Sequence, residues 1–270
     1  MFASAWSEIA DRVFVLRYRF FDQTIGVVAG DDGLLVVDTR TSLQQGRELQ
    51  EDVRRLTLLP VRVVVNTHRH SDHCFGNRAL RPAPIWGHIR CAVGLAETGP
   101  TQQQWLVESF PDLAGEWLAV VVDPPDRTFQ QEARISIGGR MIEMRDLGRG
   151  HTDGDIIVSV PDAAVVFAGD LLENGAPPSY GDAFPLDWPD TAAAILPFVT
   201  GPVVPGHGEP ADRAFAQGQV AELRVTADLV RDVAAGALSA AAAETEGPFG
   251  PETTRLALRR GLDQLAGRPG

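Results

Sequence analysis

The chain has few cysteines: only Cys74 and Cys91 in 270 residues. Two are too few for a disulfide framework or a thiolate zinc site, so they read as free thiols in a reducing compartment. Long hydrophobic runs are missing too. No stretch approaches the roughly 18 apolar residues that a membrane span needs. The opening MFASAWSEIADRV has no basic start followed by an apolar block. No secretion signal is read there, and the cytoplasm is the expected compartment. Cations are in deficit: 24 Lys+Arg face 36 Asp+Glu, a formal charge of −12. Such a surface repels phosphate backbones and anionic lipids, so neither nucleic acid nor membrane is an expected partner. Internal repeats, heptads and low-complexity linkers are absent. With 44% hydrophobic residues the chain can still build a substantial core. One domain over residues 1–270 is expected.

Apolar runs and turn residues suggest the order of elements. RVFVLRY (Arg12 to Tyr18), TIGVVAG (Thr24 to Gly30) and LLVVDT (Leu34 to Thr39) read as consecutive strands. Asp31 to Gly33 turns between the last two. Ser42 to Leu56 reads as a helix capped by Ser42. VRVVVNT is a buried strand, with a helix expected near Gly76 to Leu80 and a short strand and helix after it. Residues 101–126, rich in Gln, Trp and Pro, have a less clear pattern and suggest one helix and a long connection. RISIGG, RMIEMRDLG, DIIVSVP and AVVFAGD are four strands in a row, DTAAAILPFV a helix, and GPVVPGHG a last strand. Helices fill the chain from about residue 212. Two strand groups, each followed by helices, predict an α/β fold of two packed sheets with helices outside.

Histidine is also scarce, which makes its distribution informative. Of six histidines, His68, His70 and His73 fall in THRHSDH, with Asp72 between the last two. His151 lies in GRGHTDGD before a strand, and His207 in VVPGHG after one. Asp170 closes the strand AVVFAGD. Residues two apart in extended chain point the same way, so His68 and His70 can address one metal. In the turn that follows, Asp72 and His73 can face a second position. His151, Asp170 and His207 all sit at strand ends, where rigid sheets hold reactive groups. Three imidazoles and a water make a catalytic zinc site; Asp72, His73 and His207 can hold a second ion, and Asp170 can bridge. The donors are nitrogen and oxygen only, which suits zinc, with iron or manganese as alternatives. Two such ions would activate a shared water at neutral pH.

NTHRHSDHCFGN, GHTDGD, FAGD and PGHG, in that order, resemble the metallo-β-lactamase superfamily from about Val13 to Glu209. The resemblance implies a four-layer αβ/βα sandwich with two mixed sheets and metals at the sheet edge. It implies His68, His70 and His151 on one divalent ion and Asp72, His73 and His207 on the other, with Asp170 bridging. True β-lactamases of the best-known type carry cysteine where Asp170 stands. Asp170 looks more like the glyoxalase II branch and related thioesterases, lactonases and nucleases, the loop ENGAPPSYGDAFPLDWP resembles cyclase-like members, and His70 argues against flavodiiron enzymes. A dinuclear hydrolase of a small molecule is the expected activity. A bridging hydroxide would attack an ester, thioester, lactone or amide, with Asp72 aligning it. The alternative is a mononuclear iron oxygenase of the persulfide dioxygenase type, relying on His68, His151 and Asp170.

Around this set, Asp38 is expected to orient a histidine from beneath. Phe20, Phe21 and Trp188 are candidates for an apolar rim, and Tyr180 for an oxyanion donor, with packing in the loop as its plainer role. Asp153 and Asp155 read as solvated turn carboxylates. Cys74, adjacent to His73, is expected to point away, and His88 to lie outside the site.

Overall fold

The structure is a computed structural model that describes residues 6–268. The first five residues of the N-terminal stretch read for a leader lie outside the described residues. The chain opens with β1 (Ser7–Ala10), β2 (Val13–Arg17), β3 (Thr24–Ala29) and β4 (Leu34–Val37). Helix α1 (Leu43–Leu56) follows, then β5 (Val61–Val65), the short α2 (Ser71–Cys74), β6 (Ile85–His88), α3 (Ile89–Ser109), α4 (Ala114–Leu118) and β7 (Arg127–Phe129). These seven strands form one sheet in sequence order. Pairing is antiparallel from β1 to β4 and parallel from β4 to β7.

The second sheet holds β8 (Glu132–Ile137), β9 (Arg140–Arg145), β10 (Ile157–Val160), β11 (Val165–Gly169) and β12 (Val203–Pro205), in the order β12-β11-β10-β9-β8. Only β11 and β12 run parallel. Helix α5 (Trp188–Ala193) precedes β12, and α6 (Arg213–Ala234), α7 (Ala240–Glu246) and α8 (Pro251–Leu265) close the chain. Among the described residues, no helix is long and apolar enough to cross a membrane.

The expected two mixed sheets with helices outside are present. Val15, Val28, Leu35 and Val65 of the first sheet pack against Ile142, Met144, Val158 and Phe167 of the second. Each sheet's outer face is covered by helices. Leu49 and Val53 of α1 lie on Val27, Val36 and Val64. Ala192, Val220 and Ala257, from α5, α6 and α8, lie on Val166 and Val203. Strands buried on both faces lose the apolar–polar alternation, and for that reason β3, β4 and β11 read as unbroken apolar runs.

Local signals account for the boundaries. The Ser42 hydroxyl accepts from the Gln45 N–H at 3.0 Å and starts α1, and Asp212 caps α6 through the Phe215 N–H. Two edge strands went unread, β1 and β7, the latter only three residues long. The helix expected near Gly76 begins earlier: Ser71 opens α2, and a 3-10 turn over Asn77–Leu80 follows. The parallel pairs matter most for the site. Val37 is opposite Val65, and Gly169 opposite Pro205, so the carboxyl ends of β4, β5, β11 and β12 emerge together.

Candidate metal centre

Six of the seven residues of the constellation follow the carboxyl ends of β5, β11 or β12; His151 lies ahead of the amino end of β10, which is antiparallel to β11. After β5 the chain bends over Thr67 to Arg69, and His68 and His70 project from this loop before α2 turns Asp72 and His73 inward. His151 precedes β10, Asp170 follows β11 and His207 follows β12. The two sheets are tied here by the Ile156 N–H donating to the Thr67 carbonyl at 2.9 Å. Glycines make the close approach possible. Gly169 takes φ +53 directly beneath Thr67. A Cβ on Gly206 would lie 1.8 Å from Asp170 Oδ1.

The structure brings the seven residues into two groups, His68, His70, His151 and Asp170 in one and Asp72, His73 and His207 in the other. In the first, His70 Nδ1 lies 3.1 Å from His68 Nε2 and 2.8 Å from His151 Nε2. Asp170 Oδ2 is 3.6 Å from His68 Nε2 and 3.4 Å from His151 Nε2. In the second, His73 and His207 present Nε2 atoms 3.3 Å apart, with Asp72 Oδ2 at 3.4 and 3.2 Å from them. Asp170 reaches this group as well, with Oδ2 3.1 Å from His207 Nε2 and Oδ1 3.3 Å from His73 Nε2.

This arrangement fits divalent metals. At most one proton can lie between two facing ring nitrogens, so three converging nitrogens cannot satisfy one another. A tetrahedral ion with bonds of ~2.0–2.1 Å needs its donors about 3.3 Å apart, and the distances found lie on either side of that, from 2.8 to 3.6 Å. Asp170 Oδ1, though buried, accepts no hydrogen bond. The donors are imidazole and carboxylate, a set that zinc, iron and manganese all accept.

The ring nitrogens facing away from the centre are mostly held. His73 Nδ1 is 2.9 Å from Asp38 Oδ2, His70 Nε2 is 2.9 Å from Asp182 Oδ1, and His207 Nδ1 is 2.6 Å from the Phe21 carbonyl. His68 Nδ1 is 3.1 Å from the Thr67 hydroxyl, which itself donates to Asp38. His151 Nδ1 has no hydrogen-bond partner, and its nearest carboxylate, Glu173 Oε1, is 3.9 Å away. Burial, reinforced by neighbouring imidazoles, lowers His68 well below its ordinary pKa and His151 to about 4. Neutral imidazole is the form a metal binds. Burial opposes ionisation of Asp170 and Asp72. His207 and His73 outweigh it, and both carboxyls stay well below the usual range. Burial, then the nearby Asp170, raises Glu173 to about 8.

The neighbouring predictions divide. Asp38 orients His73 as expected. Phe21 lines the cavity above the donors, but Phe20 packs inward against Phe110 and Trp117. Trp188 is not a rim residue: its buried ring backs His151 at 5.5 Å, and its N–H donates to the Leu171 carbonyl. Tyr180 is buried against Trp188 and takes its plainer packing role. The two turn carboxylates are not solvated in the way expected. Asp155 is buried and accepts from the Thr152 N–H and hydroxyl, while Asp153 is half-buried and pairs with Arg69. Cys74 is turned away and donates to the His68 carbonyl. His88 caps α3 and bonds the Gln130 carbonyl, outside the site.

Four residues near the centre carried no sequence signal. Asp182 and Glu173 belong to the loop after β11, and Arg69 binds both Asp153 and Asp182. Trp105 lines the cavity from α3, in the stretch whose pattern was unclear. That cavity has a volume of about 280 Å³ and contains His70, Asp72, His151, Asp170 and His207. A larger groove of about 580 Å³ beside α1 contains none of the seven.

Residues 18–222 match the family model described as the metallo-beta-lactamase superfamily. The type 2 metallo-beta-lactamase of Bacillus cereus is 25% identical over 188 residues, 68% of this chain and 66% of that protein. The chain therefore spans just under two thirds of that relative's length. The acyl-coenzyme A thioesterase MBLAC2 of Homo sapiens is 25% identical over 201 residues, 64% of this chain and 67% of that protein. A solved variant of the sec-alkyl sulfatase PisA1 superposes with a TM-score of 0.77 at 15% identity, covering 97% of this chain and 50% of that one. At that identity the likeness is one of fold.

Proposed function

The chain belongs to the metallo-beta-lactamase superfamily, and we propose that within it the protein is a dinuclear metal-dependent hydrolase. In this reading His68, His70 and His151 would hold one ion and Asp72, His73 and His207 the other, with the Asp170 carboxylate within reach of both groups. Zinc is the proposed metal. The observation that carries the reading is Asp170, whose carboxylate lies within 3.6 Å of a ring nitrogen in both groups. Two bound ions would supply Lewis acidity and water that ionises near neutral pH. The chain's own groups do the rest. Asp72 lines the cavity and aligns the attacking water. The outer hydrogen bonds of His70, His73 and His207 fix the ring faces. The substrate is a small molecule carrying an ester, thioester, lactone or amide.

Relatives named as a lactamase and a thioesterase support hydrolysis as the class of reaction. Asp170, standing where true β-lactamases have cysteine, favours an ester or thioester over a β-lactam. The fully assembled second trio supports two ions over the mononuclear iron alternative. The test is purification without added metal, elemental analysis, and a panel of ester, thioester, lactone and β-lactam substrates. Two ions per chain with turnover of at least one ester class is expected. One tightly held iron with oxygen consumption would overturn the proposal, as would a His70→Ala variant with full turnover.

A second expected outcome concerns Asp182, which holds His70 Nε2. Asp182→Ala is expected to weaken metal binding about 10–100-fold, measured by competition with a chelator. Unchanged affinity would show that His70 is oriented without it.

A further inference from the structure

The wall of the cavity has a one-sided chemistry. Beyond the histidine and aspartate cluster it is formed by Phe21, Asp22, Trp105, Glu173, Ala176 and two serines, Ser71 and Ser179. Among the described residues no arginine lines it, and the chain has no lysine at all: every one of its 24 cations is an arginine. Guanidinium groups beside the cavity are already committed to carboxylates. Arg17 pairs with Glu209 and with the wall residue Asp22, whose two oxygens it holds, and Arg69 pairs with Asp153 and Asp182. The Arg17–Asp22 pair adds no net positive charge to the wall, and neither protonation form of Glu173 offers one.

The opposite side is aromatic and firmly built. Phe21 and Trp105 stack with ring centroids 6.4 Å apart and planes inclined by 23°, and Trp105 is 52% exposed. Phe21 sits at φ 54, in the left-handed region that a bulky residue rarely adopts. Two contacts hold it there. Its carbonyl is bonded by His207 Nδ1, and its ring meets Phe20 and Phe110 at 4.4 and 5.5 Å. Behind them Trp117 is fully buried. Backbone strain that recurs at a site wall and is fixed by a site residue marks a functional constraint.

We infer that the site takes aryl-bearing substrates whose remote group is uncharged or cationic, and excludes those carrying a second anion. This rests on the hydrolase reading above. A carboxylate or phosphate leaning on this wall would give up its water and find no unpaired guanidinium or ammonium to replace the lost hydration. A flat aromatic group gains stacking on Phe21 and Trp105, and a quaternary ammonium gains cation–π attraction as well. Carboxylated lactams and coenzyme A thioesters therefore fall outside its range.

The test uses the enzyme with its own metal complement and a matched series of aryl esters with neutral, trimethylammonium or carboxylate substituents remote from the scissile bond. kcat/KM is expected to be at least tenfold lower for the carboxylate member. Trp105→Ala is expected to raise KM for the aryl esters several-fold more than for a matched alkyl ester. Ala176→Arg is expected to shrink the tenfold gap at unchanged metal content. A binding assay stands apart from turnover: benzyltrimethylammonium should quench tryptophan fluorescence in the parent protein and not in Trp105→Ala, while benzenesulfonate should bind at least tenfold more weakly. Equal kcat/KM for the anionic and neutral esters, or equal binding of the two ligands, would overturn the inference even with hydrolysis intact. If no ester is cleaved, the hydrolase reading fails on its own, and the binding assay still decides the character of the wall.

Discussion

Replacing Asp170 with alanine is expected to lower the metal content from two ions per chain to one or fewer and to cut turnover by about 10³-fold or more. At 1.36 kcal/mol per decade that is a loss of ~4 kcal/mol of transition-state stabilisation. The expectation follows from the position of one carboxylate. Asp170 Oδ2 lies 3.1 Å from His207 Nε2 and 3.4 Å from His151 Nε2, while Oδ1 lies 3.3 Å from His73 Nε2. Each group keeps three donors without it, so one ion can still bind. Two cations about 3.5–4 Å apart repel, however, and an anion between them offsets that repulsion. Alanine removes the anion and leaves the two imidazole sets facing each other. Two ions and parental turnover in Asp170→Ala would show that the groups act independently and would sink the dinuclear mechanism.

The clustering of the seven residues was legible in the sequence because each lies near the end of a strand whose apolar run is easy to read. The extended-chain reason for pairing His68 with His70 does not hold, since the backbone bends over Thr67 to Arg69; the bend itself brings His68 Nε2 to 3.1 Å from His70 Nδ1. The β4–β5 and β11–β12 pairings then bring the remaining strand ends to the same edge. Asp182 and Trp105 were not legible because nothing local marks them. Asp182 lies in an irregular loop and meets His70 across 112 residues of chain. Trp105 lies late in a helix that runs through Pro100, in a stretch without a clear apolar period. Trp188 misled because a tryptophan in a loop suggests a rim. In the fold Trp188 starts α5, and its ring is pressed beneath His151 by the second sheet's outer core. Asp155 misled because a turn carboxylate usually faces water, whereas this one accepts two hydrogen bonds from Thr152 three residues earlier.

Asp38 separates stability from metal binding. It follows β4 at φ 64, a conformation that aspartate tolerates better than most residues. Its carboxylate accepts from the Thr67 N–H at 2.8 Å and the Thr67 hydroxyl at 2.8 Å, and meets His73 Nδ1 at 2.9 Å. All three partners are buried. Asp38→Ala strands them together, and leaving buried donors unpaired costs about 1–3 kcal/mol each. A total loss of roughly 3–5 kcal/mol is expected, the range for breaking a buried charged pair. A chain of this size should then melt at least ~6 °C lower. Asp38→Asn is expected to behave differently. Its amide keeps the shape and one acceptor oxygen, which can still serve the Thr67 N–H. If the amide nitrogen faces His73, it donates to Nδ1 and forces the ring proton onto Nε2, the atom that points at Asp72 and His207. A protonated Nε2 cannot bind a metal. The asparagine variant should therefore keep most of the stability and lose 10–100-fold in affinity for the second ion. Equal affinity in Asp38→Asn and the parent would mean that the carboxylate only supports the loop and does not set the His73 tautomer.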